Sequence, residues 1–155
     1  MNLEQLIANA YQVFSEIEKP QHSTNYSHCE ECAEYDEMLS TVEKRDLSIE
    51  QIGTVCWGPV PFLTPEATAY YMPRLIELAA EGVENKDLEP YFNQFINTVC
   101  EGPNGRQYSL FGDVHRRAVA SVLIYIKSNY YDLVCEHCWG EELDKACANW
   151  PVQNQ

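Results

Sequence analysis

The chain has 155 residues, 45% of them hydrophobic, which is the size of one domain with a true core and excludes both wholesale disorder and a two-domain enzyme of ordinary dimensions. Its 24 acids against 10 bases give a formal net charge of -14. That balance excludes a bare phosphate-binding surface, because contacts to nucleic acid need Lys and Arg, and it favours a basic protein as partner.

The N-terminus MNLEQLIANA has no basic stretch followed by an apolar run, so no signal peptide is expected. No segment approaches the roughly 18 apolar residues of a membrane span. The expected compartment is the cytoplasm, with no membrane association. Residues 3–17 predict the first helix: Leu3, Leu6, Ile7, Ala10, Val13, Phe14 and Ile17 recur at three- and four-residue steps, and Pro20 follows as a stop. Ser27 and Glu30 have capping-box spacing and predict a second helix over about 28–45, with Cys32, Tyr35, Leu39 and Val42 on its apolar side. Ser48 and Gln51 repeat the spacing before Gly53. The run TVCWGPVPF carries one glycine and two prolines and predicts an irregular connection that tucks Trp57 and Phe62 under neighbouring helices.

Thr64-Pro65-Glu66 predicts a helix start, since Thr caps, Pro suits the first helical position and Glu suits the positive end of the dipole. This helix is expected to kink at Pro73 and to stop at Gly82. An amphipathic segment at 87–99, a long helix over about 114–130 and a short one over about 140–148 follow. The best candidate for a strand, Tyr108 to Phe111, is too short to carry a sheet. The fold class read from this pattern is all-α: one domain over 1–155, an irregular bundle of about six or seven helices.

Seven cysteines are an odd number, so they cannot all pair within one chain. Cys29 and Cys32 lie in HCEEC, and Cys135 and Cys138 in CEHC. Two C-x-x-C pairs can supply the four thiolates of a structural zinc site, with His28 and His137 as alternates. The same residues also allow two other readings: small buried hydrophobes, or thiol redox chemistry at Cys29 or Cys32 with His28, His115 or His137 as base. Cys56, Cys100 and Cys147 stand alone and read as core. The acids Glu30, Glu31, Glu34, Asp36 and Glu37 alternate around one helix and read as a solvated face. Tyr70-Tyr71 and Tyr130-Tyr131 are pairs of a residue type suited to half-wet positions, and they mark a candidate interaction surface. Arg116-Arg117 opposes the dipole at the start of its helix, with Asp113 as the expected compensating acid. No H-E-x-x-H, E-x-x-H, Walker or dinucleotide glycine pattern occurs.

The segment from His28 to Cys32 and the LTPEA-x-x-YY-x-P segment from Leu63 to Pro73 resemble a bacterial family of uncharacterised small proteins, a domain of unknown function. The late helix DVHRRAVASVLIYIKS fits the same pattern, and CEHC lies outside it. The resemblance implies a fold unit and no activity. The leading expectation is a non-enzymatic, acidic protein–protein interaction module, such as an adaptor or an immunity-type inhibitor. A zinc-stabilised domain with a four-cysteine site and a thiol-dependent redox enzyme are the alternatives.

Overall fold

Apolar residues at helical spacing require helices that share one core, and the structure, a computed structural model, has that architecture. It describes residues 1–55 and 57–151. Among these residues seven α-helices run in chain order: α1 Leu3–Val13, α2 Glu30–Leu39, α3 Ile49–Ile52, α4 Pro65–Glu84, α5 Tyr91–Val99, α6 Asp113–Glu136 and α7 Gly140–Asn149. No strand occurs among the described residues. The only extended pairings there are isolated bridges, Thr24 with Leu63 and Thr54 with Trp57. Among the described residues no helix is long and apolar enough to cross a membrane.

α4 is the hub. It packs against α1, α5 and α6, while α7 closes over α5 and α6. Residues on nearly every side of α4 are buried, among them Ala67, Tyr71, Met72, Ile76, Ala79 and Val83, as a helix surrounded by others requires. Its start is the expected one: Thr64 Oγ1 accepts the Ala67 amide at 3.1 Å, with Pro65 in the first position. Its course differs from expectation. The helix runs unbroken through Pro73 and past Gly82 to Glu84. The break falls instead in α6, at Tyr130, whose φ of -135° and ψ of 16° are not helical.

Helix ends are set by tertiary partners. α1 was expected to reach residue 17 and stops at Val13. The Val13 carbonyl takes a bond from His115 Nε2 at 2.9 Å, and the Phe14 carbonyl one from Lys44 Nζ at 3.2 Å. α2 ends at Leu39 rather than near 45. There Tyr71 Oη donates to the Val42 carbonyl at 2.6 Å and Lys19 Nζ to that of Ser40 at 2.9 Å. α5 begins at Tyr91, just after Pro90, which has no amide to give to a helix.

Trp57 is not tucked under its neighbours: it is 76% exposed, and Phe62 is also exposed. The Thr54–Trp57 bridge, with bonds of 3.1 Å in both directions, turns the side chain outward. The interior beneath is taken by Gln94, 1% exposed, whose amide bonds the Thr54 and Ile52 carbonyls. The backbone is also too close for a larger residue. A Cβ on Gly58 would lie 1.9 Å from the Ile52 carbonyl oxygen, and Gly53 has φ of +67°, a region that favours glycine.

His115 links α6 to α1. Its Nδ1 accepts the Gly112 amide at 3.0 Å, so the ring proton sits on Nε2 and points to Val13. The ring packs against Phe14, with centroids 4.4 Å apart. Burial holds its pKa below the usual histidine value, against an opposing pull from the Val13 bond. Protonating Nδ1 would destroy the bond to Gly112. Because the folded pKa is depressed, this contribution is complete above the unfolded value near 6.5 and is lost as pH falls from there through the folded value. Lowering pH from about 7.5 to about 5.5 is therefore expected to reduce Tm more in the wild type than in His115→Gln. Equal slopes in the two proteins would remove His115 as the cause.

Candidate metal centre

The tetrapeptide turn from Asn25 to His28 delivers the chain to α2. It is closed by the His28 amide on the Asn25 carbonyl at 3.0 Å and by Ser27 Oγ on Asn25 Oδ1 at 3.0 Å. The cap of α2 is Cys29, not Ser27. Its backbone is extended, with φ of -161° and ψ of 169°, and its Sγ accepts the Cys32 amide at 3.4 Å. A sulfur thus takes the place that a Ser or Asp oxygen usually fills at a helix start. Cys32, one turn later, is 3% exposed, and its Sγ lies 3.7 Å from His28 Nδ1. The donor atoms of His28, Cys29 and Cys32 all lie within 4.8 Å of one another. Among the described residues this is the one group of three or more such side chains at that spacing.

The two thiols are driven in opposite directions. The Cys32 amide, then the Cys32 thiol and His28, lower the pKa of Cys29. The Cys29 sulfur, then burial, raise that of Cys32. Behind the cluster, Thr24 Oγ1 donates to the Cys32 carbonyl at 2.6 Å. Asp36 accepts the Ser23 amide at 2.6 Å, the Thr24 amide at 3.2 Å and His22 Nδ1 at 2.7 Å. Burial by itself would raise Asp36, but His22 and the two amides outweigh it and hold the carboxyl below the usual range. The segment that carries His28 is thereby fastened to the helix that carries both cysteines. Glu30, Glu31, Glu34 and Glu37 face solvent, while Asp36 is half-buried.

The four-cysteine set is not assembled. Cys135 and Cys138 sit at the far end of α6, exposed, beside the exposed His137 that caps it. Cys138 has φ of +64° and gives its amide to the Cys135 carbonyl at 2.9 Å. The Cys135 sulfur lies against the start of α7, where a Cβ on Gly140 would come within 2.5 Å of it. Spacing within each pair is a local property, whereas the meeting of the pairs depends on where α2 and α6 pack, so the sequence could not decide it. Of the single cysteines, Cys100 is buried and Cys147 half-buried; Cys56 lies outside the described residues.

The four tyrosines do not form one surface either. Tyr70 and Tyr71 are buried, because α4 is enclosed and both hydroxyls find hydrogen-bond partners, the exposed Glu43 for Tyr70 and the interior Val42 carbonyl for Tyr71. Tyr70 Oη donates to Glu43 at 2.7 Å and accepts the Lys44 amide at 3.0 Å, while Tyr71 bonds Val42. Tyr130 and Tyr131 lie half-buried at the α6 kink, with Tyr131 Oη on Asp144 at 2.8 Å. The most exposed large aromatic among the described residues is Trp57, expected from the sequence to lie in the interior. Compared with known proteins, the chain matches no family model, no curated protein and no solved structure.

Proposed function

We propose that this chain is a metal-binding domain in which His28, Cys29 and Cys32 hold a zinc ion and leave one coordination position for a fourth donor. The observation that carries the reading is the mutual approach of these three donors within 4.8 Å. Tetrahedral zinc with Zn–S near 2.3 Å and Zn–N near 2.0 Å places its donors about 3.5–4 Å apart. The Cys32–His28 separation of 3.7 Å already has that value. One imidazole and two thiolates form a soft donor set that suits zinc better than calcium or magnesium. The amide of Cys32 on the Cys29 sulfur supplies the outer support that orients a ligand. Titration of the purified, metal-free protein with zinc against a chromophoric chelator should give one equivalent bound. Uptake below about a tenth of an equivalent removes the reading.

A second reading, an acidic module that binds a basic protein, is supported by the exposed indole of Trp57 on a chain of net charge -14. Trp is enriched at interface centres, and a rim of acids steers basic partners. Trp57→Ala is expected to leave Tm unchanged within about 2 °C, because the side chain touches little. In pull-downs at low salt with a basic protein it should cut recovery at least tenfold. Equal recovery of the two proteins would dismiss Trp57 as an anchor.

A further inference from the structure

The chain has two basic doublets, and they are used differently. Lys44 and Arg45 are spent on aromatic faces: Lys44 Nζ lies 4.8 Å from the Tyr70 ring centroid and Arg45 Cζ 3.8 Å from that of Tyr11. Arg116 and Arg117 lie at the start of α6, and neither is within ion-pair reach of a carboxylate among the described residues. The two guanidiniums stand side by side, with neither an acid nor an aromatic face among the described residues taking their charge as the rings take that of Lys44 and Arg45. Asp113, the acid expected to neutralise them, makes no ion pair either. All three residues line one cleft of about 190 Å³.

The lining of that cleft is part polar and part apolar, and several of its groups are fixed in place. Arg116 Nε is anchored on the Phe111 carbonyl at 3.3 Å, which leaves the outer nitrogens of its fork free. Trp150, 1% exposed, closes the floor, with its indole N–H committed to the Val99 carbonyl at 2.7 Å. Asn149 Nδ2 is held by the Cys100 carbonyl at 3.0 Å, which leaves Oδ1 as an acceptor. The first amides of the 24-residue α6 have no partner within the helix and add positive potential.

We infer that this cleft binds a small zwitterion, a free α-amino acid or the like, with its carboxylate on Arg116 and Arg117 and its ammonium on Asp113. Two unspent positive groups and one unspent negative group, side by side on one face of α6 and lining a single cleft, match a ligand that carries both signs. Guanidinium forks suit a carboxylate in both shape and charge. The volume lies below the ~300–1,000 Å³ of pockets that hold drug-sized molecules, so the ligand is small.

Isothermal titration at fixed ionic strength with glycine, acetate, inorganic phosphate and methylammonium tests this on the wild-type chain. Glycine is expected to bind at least about tenfold more tightly than acetate or phosphate, and methylammonium not to bind measurably. Arg117→Gln should weaken glycine at least tenfold. Asp113→Asn should bring glycine down to the level of acetate, with far-UV circular dichroism unchanged in both variants. Acetate or phosphate equal to glycine in the wild type would overturn the inference, since the site would then read negative charge alone. Absence of glycine binding would overturn it as well. Neither outcome depends on a variant that folds.

Discussion

Cys32→Ser is expected to lower zinc affinity by roughly two orders of magnitude or more, beyond the 10–100-fold typical of losing a ligand's outer hydrogen-bond partner. The reason is geometric. Cys32 contributes one of three donors, and its amide also holds the Cys29 sulfur at 3.4 Å. Serine keeps the amide and the volume but replaces a soft thiolate with a hydroxyl that zinc prefers far less. Cys29→Ser should weaken binding by a similar factor while α2 keeps a cap, because a serine oxygen caps a helix at least as well as sulfur. His28→Ala should leave partial binding, since two thiolates remain. The double variant Cys135→Ser, Cys138→Ser is the control and should bind like the wild type. If it lost the metal while Cys32→Ser kept it, the centre would lie at the other end of the chain and the present assignment would be wrong. Binding should also strengthen with pH, because each ligand must shed its proton before it can coordinate.

The largest expected effect on stability comes from Trp150→Ala. Trp150 is 1% exposed and packs edge-on to Tyr108, with centroids 5.1 Å apart, and against Phe111 at 6.3 Å. Its indole also pins the end of α7 to α5 through the Val99 carbonyl at 2.7 Å. Truncation removes a large buried side chain and one of the two hydrogen bonds on the Val99 carbonyl, which keeps the one from the Gly102 amide. Trp→Ala changes of this kind cost about 3–5 kcal/mol, out of the 5–15 kcal/mol that hold an ordinary domain together. For a chain of this size that corresponds to a fall in Tm on the order of 10 °C. Trp150→Phe should recover most of the packing but not the indole bond. A fall below about 3 °C for the alanine variant would mean that α7 contributes little to the cooperative unit. Trp57→Ala gives the contrast, because the same chemical change at a residue 76% exposed should leave stability nearly untouched.

The helical class of this chain was legible in its sequence because helix formation is read from neighbours three and four residues apart. Leu3, Leu6 and Ala10 lie on one stripe in the linear order and on one buried face of α1. Thr64 caps α4 because a hydroxyl reaches an amide three residues on, whatever surrounds it. The pairing of His28 with Cys32 belongs to the same short range. What lay beyond that range was decided by packing. Val13 ends α1 because His115, about a hundred residues later, takes its carbonyl. Trp57 faces water and Trp150 the core because Gln94 occupies the space below one and the other seals α7 over α5. Tyr70 and Tyr71 are interior because α4 is covered on nearly every side. Cys135 and Cys138 stay apart from Cys29 and Cys32 because no local rule says where α2 and α6 will meet. Short-range hydrogen bonds and periodicity determine which segments coil, whereas the enclosure of each helix by distant ones determines which of its side chains are left to do chemistry.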